Sequence, residues 1–138
     1  MKVRHAHVQT MLVEARNGYP LEVCGVLLGK GPLVHAVVPV PNHERDSPRV
    51  RYQIAPEDLA RIQREGRDVG LDIVGYYHSH PDHPARPSPT DRALAAEGLS
   101  DGVVHVVVGV DGARRATFTA WVFRDRNASF DREPFEIE

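Results

Sequence analysis

Leu71-Asp72-Ile73-Val74-Gly75-Tyr76-Tyr77-His78-Ser79-His80-Pro81 is the stretch on which the reading of this chain turns. Its first seven residues are dominated by aliphatic and aromatic types suited to a pleated, half-buried surface, which predicts a strand. That strand runs directly into two histidines, and Pro81 ends it. Side chains alternate along a strand, so His78 and His80 share one face and their imidazoles can reach a single ion. On its own, a histidine pair also fits two ordinary surface or core histidines. The chain carries an internal control in His5-Ala6-His7, a second pair near the start of a helix, where residues i and i+2 point apart.

Reading outward, Pro56-Glu57-Asp58 has the proline-led, acidic composition of a helix start, with Leu59, Ile62, Gly66 and Val69 as its buried face. On the other side, a proline-rich loop leads to Ser88-Pro89-Thr90-Asp91, which opens a short helix ending near Gly98. Val8, Met11, Leu12 and Ala15 recur at helical spacing before a stop at Gly18. Residues 23–28 read as a buried strand closed by the turn Gly29-Lys30-Gly31, and residues 34–40 as a second strand ended by Pro39 and Pro41. Residues 42–49 form an exposed loop, and residues 50–54 a short strand. Residues 103–110 and 117–123 are antiparallel neighbours through an Asp111-Gly112 turn, and residues 134–138 add an edge strand. Strands separated by helices define an α/β chain, one sheet with helices packed on it. Without repeats or linkers, residues 1–138 are expected to form a single domain.

The composition narrows the function classes. With 138 residues, 41% hydrophobic and 26% charged, the chain is globular and long enough to bury a core. A net charge of −2, with both signs spread along the length, gives no basic stripe for nucleic acid. The single cysteine, Cys24, excludes an internal disulfide and a cysteine-rich zinc cage. The longest apolar run, residues 103–110, is interrupted by His105 and too short to span a bilayer. The first residues lack the apolar stretch of a secretory signal, so a cytoplasmic location with no membrane partner is expected.

Asp91 arrives within the first turn of the helix that follows the histidines. With His78 and His80 it makes a His₂Asp set that leaves a fourth position for water, the pattern of catalytic rather than structural zinc. Capping competes with this reading: Ser88 fits the N-cap, Pro89 the first helical position and Asp91 the N3 position of a capping box. Capping accounts for Ser88 and Asp91 but not for a cap placed just after two same-face histidines, and the combination points to a metal. A hydrolase also needs a base. Glu22, at the mouth of the 23–28 strand, is costly there unless paired or solvated, and it also fits a solvated strand-end charge.

Taken together, Glu22-Val23-Cys24-Gly25, His78-Ser79-His80-Pro81 and Ser88-Pro89-Thr90-Asp91 resemble, in order and residue type, the three-part motif of the JAMM, or MPN-plus (Mov34-type), metalloproteases. The order of elements resembles that family along nearly the whole chain. The resemblance implies a three-layer α-β-α fold with one mixed sheet, similar to the cytidine deaminases. It implies one Zn2+ per chain on His78, His80 and Asp91, Glu22 as proton shuttle, and Ser88 as donor to the oxyanion. The chain is similar to the compact prokaryotic members, which implies a peptidase or isopeptidase acting after the C-terminal Gly-Gly of a ubiquitin-like or sulfur-carrier protein, or releasing a cysteine from such an end. A homodimer stays open.

Two other readings stand beside it. One is a non-catalytic module that holds such a protein; the other is a zinc amidohydrolase of a different substrate. Against nucleobase deamination, the Pro-Cys-x-x-Cys zinc motif is absent. Arg86 and the 42–49 loop are candidates for gripping substrate. Cys24 reads as a small buried residue beside Gly25, His83 as a loop residue, His105 as a hydrogen-bonded strand histidine, and Trp121 and Phe123 as core or interface residues.

Overall fold

The computed structural model describes residues 1–98 and 101–138. Its elements are β1 (Lys2–Val3), α1 (His5–Gly18), β2 (Cys24–Lys30), β3 (Leu33–Val40), α2 (Pro56–Asp68), β4 (Asp72–Pro81), α3 (Pro89–Glu97), β5 (Val104–Val110), β6 (Ala116–Arg124), β7 (Ser129–Glu133) and β8 (Glu136–Ile137). The strands form one eight-stranded sheet in the order β7-β6-β5-β4-β2-β3-β1-β8. It is mixed: β4 runs parallel to β5 and antiparallel to β2.

Alternation along β2 divides the core between two helices. Leu27 joins the cluster under α1, with Val8, Met11, Leu12 and Ala15. Cys24, Val26 and Leu28 point the other way, toward Ile62 of α2. The sheet is thus the middle layer of three, as the α/β reading expects. Because Cys24 is the cross-strand partner of His78, the histidines of β4 face the α2 side, and α3 packs on that side too.

Several boundaries differ from the sequence reading. Residues 50–54 form no strand. The Asn42 side chain supplies the pairing instead: its amide donates to the Arg51 carbonyl (3.0 Å) and its oxygen accepts from the Gln53 amide (3.0 Å). A side chain, with one backbone bond from the His43 amide to the Gln53 carbonyl (2.8 Å), thereby takes the place of a ladder. Val69 is 71% exposed rather than buried, because α2 ends at Asp68 and Val69 lies in the turn that follows. Pro39 sits inside β3, opposite Gly25. The other flank of β3 is covered by β1 only at Leu33, so the missing N–H falls on an open edge. The charged, short strand β7 gave no apolar alternation, and β1 is only two residues long; neither was expected. His105 is buried, but its Nε2 has no hydrogen-bond partner. Its ring lies against Phe130 and Tyr76 instead (centroids 5.1 and 5.8 Å), and burial lowers its pKa to about 4, so it is neutral at physiological pH.

Candidate metal centre

Three elements bring the site together. His78 and His80 project from the end of β4, His78 opposite the first residue of β2 and His80 beyond it. Asp91 comes from the first turn of α3. Glu22 precedes β2 and is 4% exposed. The backbone holds the start of β2 against the histidine strand: Ser79, between the two histidines, donates its amide to the Val23 carbonyl (3.0 Å), and its hydroxyl accepts from the Val23 amide (2.8 Å). The Glu22 amide donates to the Pro48 carbonyl (2.7 Å), and its carbonyl accepts from the Asn42 amide (3.1 Å). The 42–49 loop therefore anchors Glu22.

The Nε2 atoms of His78 and His80 lie 3.0 Å apart, and each is 3.0–3.1 Å from Asp91 Oδ2. No arrangement of protons gives three such mutual contacts good hydrogen-bond geometry at once. Donor atoms sharing one ion at about 2.0–2.2 Å do stand this close. The Glu22 carboxylate stands further back, within 4.8 Å of both imidazoles, and its Oε1 is buried with no partner. Asp91 Oδ2 thus touches both imidazoles, while the Glu22 carboxylate forms with the same two histidines a second set of three donors near enough to share an ion. The chemistry of this donor set, two imidazoles and a carboxylate, suits zinc.

Surrounding groups fix the histidines. His80 Nδ1–H donates to the Pro84 carbonyl (2.9 Å), which leaves the Nε2 lone pair facing Asp91. Tyr52 stacks on His78, with centroids 4.4 Å apart and 20° between planes. Opposite His80 in the parallel ladder is Gly109. A Cβ there would meet the His83 carbonyl at 3.1 Å and the Ala85 amide at 3.3 Å. This one glycine in a run of valines lets the 83–85 loop cross the sheet face and reach His80.

Asp91 also completes a capping box: its Oδ2 accepts from the Ser88 amide (2.9 Å), and its own amide donates to Ser88 Oγ (3.0 Å). Capping and the histidine cluster thus coexist in one carboxylate. Burial raises the Asp91 pKa, but the imidazoles of His78 and His80 and the Ser88 amide around it outweigh that and hold the carboxyl below the usual range in the metal-free chain. Burial pushes the Glu22 carboxyl up to about 8. A cleft of about 430 Å³ opens onto Glu22, His80 and Ser88, with Arg51, His83 and Arg86 along its walls. Cys24 is fully buried, its thiol against the Val40 carbonyl at 3.7 Å. His5 and His7 sit on the first turn of α1, away from this site. Asn42, Tyr52 and Gly109 were missed in the sequence. Only Gly109, breaking a valine run, left a visible signal.

The sequence pattern of the prokaryotic homologues of the JAB domain matches residues 4–124. This chain belongs to that family, within the JAMM/MPN proteins. Among the relatives of this JAB-domain chain, a protein named desampylase from Haloferax volcanii is 39% identical over 118 residues, spanning 81% of each chain. A CysO-cysteine peptidase from Mycobacterium tuberculosis is 36% identical over 99 residues, spanning 69% of this chain and 65% of its own. A solution structure from Salinibacter ruber, 33% identical, superposes with a TM-score of 0.75 over 100% of this chain and 92% of that one. The JAB domain's mixed sheet flanked by helices agrees with the architecture described above.

Proposed function

We propose that this chain is a zinc-dependent peptidase or isopeptidase that hydrolyses the bond after the C-terminal Gly-Gly of a ubiquitin-like or sulfur-carrier protein. The observation that carries the reading is the contact triangle of His78, His80 and Asp91 beside the buried, unpartnered Glu22 carboxylate on an open cleft. The desampylase and CysO-cysteine peptidase relatives support the substrate class. A module that only holds such a protein gives no reason for an unpaired carboxylate at that depth, where burial is costly.

In this reading His78 and His80, through Nε2, and Asp91, through Oδ2, hold one zinc ion. Zinc supplies a Lewis acid for the scissile carbonyl and lowers the pKa of water to about 7. Glu22 accepts a proton from the attacking water and delivers it to the leaving amine, the work of a positioned general acid–base carboxylate. Ser88 Oγ already accepts from the Asp91 amide, so its own proton is free to donate to the carbonyl oxygen as negative charge develops there. Arg86 and Arg51 line the way in. Glycine in the substrate permits the closest backbone approach to the base of the cleft.

The substrate assignment is tested by incubating the zinc-loaded protein with a ubiquitin-like carrier bearing a peptide extension, or a lysine isopeptide, after Gly-Gly, and following product mass. Cleavage directly after the second glycine is expected, with short unrelated peptides cut at least about 100-fold more slowly. Equal hydrolysis of any peptide would remove the Gly-Gly claim. Gly109→Val tests the support of His80. The larger side chain displaces the 83–85 loop and breaks the Pro84 bond, so zinc affinity is expected to fall by about 10–100-fold. Zinc titration against a competing chelator reads this; unchanged affinity would show that the loop does not orient the ligand.

A further inference from the structure

Next to the cleft lies a second hollow of about 200 Å³, walled by Arg86, Ser88, Arg92, Trp121 and Phe130. Arg86 and Ser88 line both spaces, so the hollows share a wall. From β7, Arg132 lays its guanidinium over the Trp121 ring at 5.2 Å. Among the described residues, Arg86, Arg92 and Arg132 share with most of the arginines the lack of an acidic partner at ion-pair distance, Arg61, Arg115 and Arg124 being the exceptions. Of the two acids flanking Arg132 on β7, Asp131 lies 3.8 Å from Arg124 and Glu133 pairs with the Met1 ammonium at 3.1 Å. In a chain of net charge −2, three exposed guanidiniums grouped around one tryptophan concentrate positive charge beside the cleft.

This surface is fixed relative to the cleft. The Trp121 indole N–H donates to Thr119 Oγ1 at 2.7 Å, and the Thr119 hydroxyl donates to the Ala85 carbonyl. Ala85 follows Pro84, whose carbonyl holds His80. A ligand resting on Trp121 is therefore in register with a chain lying in the cleft. Arginine over an aromatic ring is weakly hydrated and keeps its fork of donors available for carboxylates, and arginine and tryptophan are enriched among residues that carry binding energy.

We propose that Arg86, Arg92 and Arg132, grouped around Trp121, dock an acidic face on the folded body of the protein whose tail enters the cleft. This rests on the peptidase reading above. The tail alone engages the cleft, and the body engages the arginine surface beside it. Charges at the rim of an interface act mainly on encounter rate and on salt dependence.

The test compares wild type with the double variant Arg92→Glu/Arg132→Glu on a ubiquitin-like carrier with an acidic surface and a Gly-Gly extension. At low salt the variant is expected to raise KM by about tenfold with kcat changed by less than about twofold, and the difference is expected to shrink as salt rises. Arg92→Gln/Arg132→Gln, which removes charge without reversing it, is expected to lie between. Converting the carrier's surface acids to amides is expected to raise KM for wild type and to erase the difference from the variant. An unchanged KM in a variant of unchanged melting temperature overturns the proposal, as does equal KM for acidic and amidated carriers. Retention of wild type, but not the variant, on single-stranded DNA without any change in carrier KM overturns it too. Failure of wild type to cleave any Gly-Gly conjugate brings down the peptidase reading itself, a result distinct from cleavage that ignores these arginines.

Discussion

Glu22→Gln is expected to keep zinc content at the wild-type level and to lower turnover of a Gly-Gly conjugate by about 10²–10⁴-fold, the usual worth of a positioned acid–base group. The substitution preserves shape, and Glu22 stands back from the triangle of closest donors, so the proposed ligand set leaves the ion independent of it. Zinc content by elemental analysis and kcat on one preparation separate the two roles. Loss of zinc together with activity would make Glu22 a ligand rather than a base. The metal-free protein offers a second readout. Burial raises the folded-state pKa of Glu22 from 4.5 to about 8, so the folded state holds the proton more tightly. The stability this contributes is fully present below about 4.5 and is lost as pH rises through about 8. Between those values the melting temperature of metal-free wild type is expected to fall relative to that of Glu22→Gln. Parallel profiles would mean that the carboxylate finds water or a partner when ionised.

The second large effect is expected at Asp91, where two substitutions divide two roles. Asp91→Asn keeps an oxygen that accepts from the Ser88 amide, so α3 stays capped while the anionic donor is lost. Zinc affinity is expected to fall by more than the roughly 10–100-fold that loss of a ligand-orienting group costs, with little change in melting temperature. Asp91→Ala is expected to lose the metal equally and also to destabilise the metal-free protein by about 1 kcal/mol through the cap. Chelator competition and thermal melts on the two variants read these separately. If Asp91→Asn binds zinc as wild type does, Asp91 is a cap and its place among the ligands is wrong.

Local periodicity made most of the fold legible. The spacing of Val8, Met11, Leu12 and Ala15 and the valine run before Gly109 reflect burial on one face, and the elements form where those patterns lie. The exceptions share a cause. Residues 50–54 have a strand's composition, but their backbone groups meet the Asn42 side chain from across a loop. Val69 continues a helical pattern that the turn at Gly70 (φ +76°) interrupts. His105 was expected to be hydrogen-bonded and instead lies among aromatic rings. In each case a tertiary neighbour decides, and no local pattern carries it. The candidate site divides in the same way. Residue type and order within three short motifs singled out Glu22, His78, His80, Ser88 and Asp91, which the structure brings together. The groups that hold them act across the fold: Ser79 on Val23, Asn42 on Glu22, Pro84 on His80, and Tyr52 on His78.

The capping box at the start of α3 has a consequence for how the chain responds to its ion. One carboxylate oxygen of Asp91 faces both histidines and also accepts from the Ser88 amide. In the proposed ligand set, winding the first turn of α3 would preassemble the third donor, and a cation seated there would hold that turn closed. Linkage makes the exchange reciprocal: whatever free energy an ordered helix start adds to ion affinity, the ion returns to the helix start. Scarcity of metal would then register first as fraying of one short helix beside the cleft, while the eight-stranded sheet persists, so the chain can lose and regain competence without unfolding.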